Sequence, residues 1–132
     1  MARLDRRTFS FPKSARLLRR SDYDHLQQRG HRFAEGPLAA SWAARPDGSA
    51  PGMGPGAARV GIAVSSKVGQ AVVRNRVKRR LREAIRHELA LLPPVDLVLI
   101  ARPSATRATV AELRSWLRRA GSRIEAARGG AP

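Results

Sequence analysis

The chain has 132 residues, enough for one domain with a real core and too few for two. It carries 26 Lys and Arg against 10 Asp and Glu, a formal net charge of +16, far beyond the magnitude of roughly 2–8 that keeps a small domain soluble. With 42% hydrophobic residues and no cysteine, it is neither a disordered basic tail nor a disulfide scaffold, and Cys-type zinc and thiol chemistry are excluded.

The excess charge points to a polyanionic partner, nucleic acid before an anionic membrane surface. The longest apolar run lies near Val95–Ala101, far short of the ~20 residues a membrane-spanning helix needs. Arg3, Arg6 and Arg7 come early, yet Asp5 and Pro12 spoil an amphipathic presequence, and no apolar segment follows them. The expected setting is the cytoplasm, without a membrane.

In chain order, residues 1–13 are basic and aperiodic and read as a flexible arm. Ser21, with Asp24 three residues on, resembles a helix start, and Gly30 a helix end. Leu38, Ala40 and Trp42 alternate with Ala39, Ser41 and Ala43, so a strand is expected over Phe33–Ala43. Residues 44–58 are dominated by Gly, Pro and Ala and read as a flexible hairpin loop leading to a second strand. That strand is Arg59–Val64, with Val60, Ile62 and Val64 on one face.

Helical periodicity follows from Val72 to Leu92. Val73, Val77, Leu81, Ala84, Ile85 and Leu89 share one arc, and Arg76, Lys78, Arg79, Arg80, Arg82 and Arg86 lie opposite. Pro93-Pro94 stops the helix. Val95–Ala101 is nearly continuous apolar sequence, as in a strand covered on both faces. Thr109-x-x-Glu112 is a capping box for a last helix whose apolar face is Val110, Leu113, Trp116, Leu117, Ala120 and Ile124. The expected fold is α+β: helices on a small mixed β-sheet, in the order α-β-β-α-β-α. The domain spans residues 14–124, and residues 125–132 form a tail.

Between Lys67 and Arg86 there are eight basic residues (Lys67, Arg74, Arg76, Lys78, Arg79, Arg80, Arg82 and Arg86) and one acid, Glu83. A merely solvated helix face mixes signs to gain i,i+4 pairs; this one repels itself. Guanidinium forks match phosphate oxygens, so the helix reads as a nucleic-acid contact. Arg74 falls near the apolar arc in the first turn. Asn75 is a poor helix former with several hydrogen-bonding groups, so Arg74-Asn75-Arg76 suits contact better than helicity, with capping by Asn75 as the rival reading.

An active site of the chain's own is not expected. His25, His31 and His87 show no ligand spacing and read as surface or RNA-contact residues. The acids are scattered, which disfavours a two-metal carboxylate site. Ser65-Ser66-Lys67 reads as a turn rather than a Ser–Lys dyad, and Gly61 and Gly69 belong to no phosphate loop. Among the aromatics, Trp116 fits the core. Tyr23, Phe33 and Trp42 are open between core packing and base stacking.

The stretch from Val60 to Glu83, VGIAVSSKVGQAVVRNRVKRRLRE, resembles the signature of the bacterial ribonuclease P protein family. Arg16-Leu17 with Asp22-Tyr23, Leu26 and Gly30 is similar to that family's first helix. Asp96–Ala101 with Arg102-Pro103 is similar to its late strand, so the resemblance covers roughly residues 12–122.

The resemblance implies a ribosomal protein S5 domain 2-like fold with a left-handed βαβ crossover. It implies a subunit that binds a catalytic RNA and assists it in removing the 5′ leader of precursor tRNA. The RNA hydrolyses with Mg2+ that it mainly holds itself, and no protein partner is required. It further implies RNA contacts at Lys67, Arg74, Asn75, Arg76, Lys78, Arg79, Arg80, Arg82 and Arg86, and a leader cleft at Arg16, Tyr23, Phe33, Trp42 and Ser65. Three departures stand out: Ser66 where the family has lysine, Gln27 where it has a second aromatic, and a longer 44–58 loop. A ribosomal or other structural RNA-binding protein is the alternative that composition allows. A membrane-active helix fits less well, because its apolar face is needed for the core.

Overall fold

The computed structural model describes Phe11, Ala15, Arg16, residues 20–44 and residues 58–128. Helix α1 spans Arg20–Arg29, strands β1, β2 and β3 span His31–Glu35, Leu38–Ala44 and Arg59–Ala63, helix α2 spans Ala71–Glu88, strand β4 spans Val95–Ala101, and helix α3 spans Val110–Arg128. The order is α-β-β-β-α-β-α, one strand more than expected. The run Phe33–Ala43 is not one strand. It is broken at Gly36-Pro37, where Gly36 takes a positive φ of 56° and the chain folds back as an antiparallel hairpin pairing His31 with Trp42 and Glu35 with Leu38. Glycine adopts that conformation without steric cost.

The sheet order is β1-β2-β4-β3. β2 runs antiparallel to β4, Leu38 opposite Ala101, and β3 runs parallel to β4, Arg59 opposite Asp96. The segment 44–58 is therefore no hairpin loop: β4 lies between the strands it joins. Residues 45–57 themselves lie outside the described residues, as do 1–10 and 129–132.

The alternation along β2 divides the two sides of the sheet. Leu38, Ala40 and Trp42 join Val60, Leu97 and Leu99 in the main core with Val77, Leu81, Ile85, Leu113, Trp116, Leu117 and Ile124 of α2 and α3. Each large apolar side chain removed from water here contributes roughly 1.5–3 kcal/mol. On the other side Leu26 of α1 packs with Ala43 and Val98, flanked by Tyr23 and Ala63. Ser41, also buried, donates to the Leu26 carbonyl at 2.8 Å, so its hydroxyl is satisfied while it fixes α1.

Helix ends follow local chemistry in part. Ser21 lies inside α1 rather than capping it, and Asp22 occupies the first turn. Gly30 N–H closes the helix on the Leu26 carbonyl. The capping box of α3 is formed: Thr109 Oγ1 accepts from Glu112 N–H at 3.1 Å, and Glu112 Oε1 accepts from Thr109 N–H at 3.2 Å. α3 continues to Arg128, past the end expected at Ile124. Phe11, inside the segment read as an arm, is buried in the main core.

Glu88 is 2% exposed at the end of α2. Arg114 Nε donates to its Oε2 at 2.8 Å, and Arg118 Nε donates to its Oε1 at 2.9 Å. Burial pushes the Glu88 carboxyl up, and the bonds from Arg118 and Arg114 more than reverse this, so it titrates below the usual glutamate range. Two arginines of α3 are thus spent on holding α2.

Candidate nucleic-acid interface

α2 begins at Gln70, which makes no side-chain cap. The capping role considered for Asn75 is not formed, because Asn75 sits inside the helix. Val77, Leu81, Ala84 and Ile85 face the core as expected. At about 100° per residue, the remaining residues divide into two flanks. Asn75, Lys78, Arg79, Arg82 and Arg86 lie on one, with Asn75, Arg79, Arg82 and Arg86 exposed. Arg76, Arg80, Glu83 and His87 lie on the other.

The second flank is partly committed to the protein itself. Arg80 Nη1 donates to the Thr106 carbonyl at 2.9 Å. Glu83 takes Arg86 at 2.7 Å and meets His87 Nε2 at 3.2 Å. Arg74 falls on the buried arc, and its Nε is buried without a hydrogen-bond partner. A buried unsatisfied donor is costly.

The turn before α2 is short 3₁₀ structure over Ser66–Val68. Ser65 caps it, accepting from Lys67 N–H at 3.3 Å, which agrees with the turn reading. Lys67 is exposed beside it.

A cleft of about 120 Å³ opens between α1, β3 and α2, lined by Phe11, Arg16, Tyr23, Val60, Ile62 and Arg82 around Gly61. It brings together Tyr23 and Arg16, both expected there, with Arg82 from the arginine helix. Burial, reinforced by Asp22, raises the Tyr23 hydroxyl above its ordinary value, against the opposing hydrogen bond with the Ile62 backbone.

Arg16 is already engaged. Its Nε and Nη2 both donate to the Phe11 carbonyl, at 3.1 and 2.9 Å, and its guanidinium lies 4.9 Å from the centre of the Phe11 ring.

Of the expected cleft residues, Ser65 is not among those that line it, and Phe33 and Trp42 lie elsewhere. Phe33 and Trp42 project from the opposite side of the sheet, the side of the main core. Phe33 stacks on Trp116 at 5.7 Å between ring centres, with Arg123 4.4 Å from its own ring centre. Trp42 is 6% exposed and stacks with His31 at 4.5 Å. Neither meets Tyr23: alternation reveals which residues share a face, not which helix covers that face. Phe11 and Gly61, which line the cleft, were not among the residues expected there. No periodicity marks Phe11, and only the approach of Tyr23 reveals what Gly61 leaves room for.

A family model for ribonuclease P matches residues 11–125. This chain belongs to the ribonuclease P protein family. The ribonuclease P protein component of Streptomyces avermitilis is 43% identical over 104 residues, covering 77% of this chain and 85% of the relative. That of Xanthomonas oryzae pv. oryzae is 39% identical over 117 residues, covering 85% of this chain and 74% of the relative. Among solved structures, the Staphylococcus aureus RNase P protein is similar with a TM-score of 0.67 at 25% identity, covering 85% of this chain and 95% of that one. The Thermotoga maritima RNase P protein gives 0.68 at 28% identity, covering 83% and 97%. The α+β architecture is therefore that of the ribonuclease P proteins. The stretch on which the resemblance to ribonuclease P rested runs from β3 through the Ser65 turn into α2, along one border of the cleft. Among the described residues no helix is long and apolar enough to cross a membrane.

Proposed function

We propose that this chain is the RNA-binding protein subunit of a ribonuclease P. It binds the catalytic RNA through α2 and the preceding Lys67 turn, and it holds the 5′ leader of precursor tRNA in the cleft beside Tyr23. The observation that carries this reading is the cleft itself: Arg82 of α2 and Tyr23 of α1 line one cavity, so a backbone contact and an aromatic surface are presented together. Guanidinium groups neutralise phosphates, and an aromatic ring stacks on an unpaired base whatever its sequence.

Endonucleolytic removal of the leader is assigned to the RNA subunit, with Mg2+ as its cofactor. The α2 flank and cleft present guanidinium and ammonium groups, which bind phosphate oxygens and repel a cation, so the donors for Mg2+ belong to the RNA. What the protein supplies is attraction for both RNAs and a fixed path for the leader. The expected setting is the cytoplasm.

Reconstitution with a bacterial ribonuclease P RNA tests this. The protein alone leaves precursor tRNA intact, and adding it to the RNA restores leader removal at low magnesium. Failure to rescue the RNA, or co-sedimentation with ribosomal subunits instead, overturns the reading.

A further inference from the structure

We infer that Arg59 is a positioning residue for the leader cleft: anchored on Asp96, it holds the first turn of α1, and with it Tyr23, against β3. The inference rests on the leader-binding reading above.

Asp96 on β4 is 3% exposed and stands in register with Arg59 on β3. Both of its oxygens are used: Arg59 Nε donates to Oδ1 at 2.8 Å and Arg59 Nη2 to Oδ2 at 2.7 Å. A buried carboxylate without a partner is expensive, and the two-pronged geometry fixes the plane of the guanidinium. In that fixed position Arg59 Nη2 lies 3.9 Å from Asp22 Oδ1.

Asp22 immediately precedes Tyr23. The Tyr23 hydroxyl is hydrogen-bonded to the Ile62 backbone, and its ring fills the space that Gly61 leaves open. The first turn of α1 is therefore tied to β3 at two neighbouring points, Arg59 and Gly61-Ile62. The far end of α1 is held separately, by Leu26 and the Ser41 bond. At the cleft end, the Arg59 tie acts through charge.

The sign of that charge makes the role testable. A carboxylate beside a phosphate-binding cleft opposes RNA binding. If Asp22 were only a charge, removing it would strengthen binding. If Asp22 is the point by which Arg59 holds Tyr23 in place, removing it weakens leader recognition despite the lost repulsion.

The experiment uses holoenzyme reconstituted with a bacterial ribonuclease P RNA. Affinity is measured for a precursor tRNA with a short leader and for the same tRNA without one. In Asp22→Asn the ratio of the two affinities falls about two- to five-fold, the range of a partly exposed ion pair. Arg59→Lys keeps the charge, loses the fork and lowers the ratio in the same direction. General destabilisation would lower both affinities alike and leave the ratio unmoved; Asp22→Asn also leaves the buried Arg59–Asp96 pair intact. An unchanged or increased ratio in Asp22→Asn overturns the positioning role. A wild-type holoenzyme indifferent to the leader overturns the leader reading, and the inference with it.

Discussion

Tyr23 packs against Gly61 so closely that a β-carbon at position 61 would stand 2.6 Å from the Tyr23 hydroxyl oxygen. That contact sets both the stability and the shape of the cleft. Gly61→Ala is expected to cost about 1–3 kcal/mol, as overpacking does, and to swing the ring away from β3. Denaturant unfolding measures the first effect and leader-dependent affinity the second. Wild-type values for both would mean that the ring does not need this space.

Tyr23 is the chain's single tyrosine, so tyrosinate absorbance reports it alone. Burial and Asp22 raise its hydroxyl, and the Ile62 bond only partly offsets them. The midpoint is expected above that of a free phenol, ~10. Because the folded value is raised, the associated stability is fully present below the unfolded value and is lost as pH rises through the folded one. A midpoint at or below that of free tyrosine contradicts the buried geometry.

Glu88→Gln removes the charge on which Arg114 and Arg118 converge. The expected loss is about 1.5–3 kcal/mol, the scale of hydrogen bonds to a charged group. The folded carboxyl titrates low. Its stability is therefore present above the unfolded value, ~4.3, and declines as pH falls through the folded one. The gap between wild type and Glu88→Gln should close in acid. A gap constant from neutral pH to strong acid would rule out the ionised clamp.

The arginines of α2 and α3 should separate by salt dependence. Loss of Arg76, Arg79 or Arg82 should reduce the slope of log affinity against log salt by about 0.7–0.9 per phosphate contact, and loss of Arg74 should weaken assembly or cleavage. Arg128→Ala should change neither, since Arg128 is paired with Glu125 near the end of α3. Arg80→Ala should instead lower stability by about 0.5–1.5 kcal/mol, because its Nη1 bonds the Thr106 carbonyl. Equal slopes for all these variants would mean that only bulk charge matters.

Much of this architecture is legible along the chain because it depends on near neighbours. The apolar arc of α2, the Thr109–Glu112 box and the buried face of α3 follow from periodicity and capping, which act within a few residues. The Gly36-Pro37 break in the strand was written in the same local terms, yet the alternation on either side of it obscured the turn.

The sequence by itself determined the sign of the partner, the arginine helix and the family. It did not determine which strands pair, because β2, β3 and β4 choose partners across long separations. Nor did it determine which face of β1 and β2 meets which helix, and so Phe33 and Trp42 lie on the main-core side of the sheet rather than in the cleft. Above all, 26 basic residues look alike in a list. Only the tertiary structure decides that Arg16, Arg59, Arg80, Arg114 and Arg118 bind the protein's own carbonyls and carboxylates, while Arg76, Arg79 and Arg82 stand exposed. A guanidinium takes whichever acceptor the fold brings within hydrogen-bonding reach.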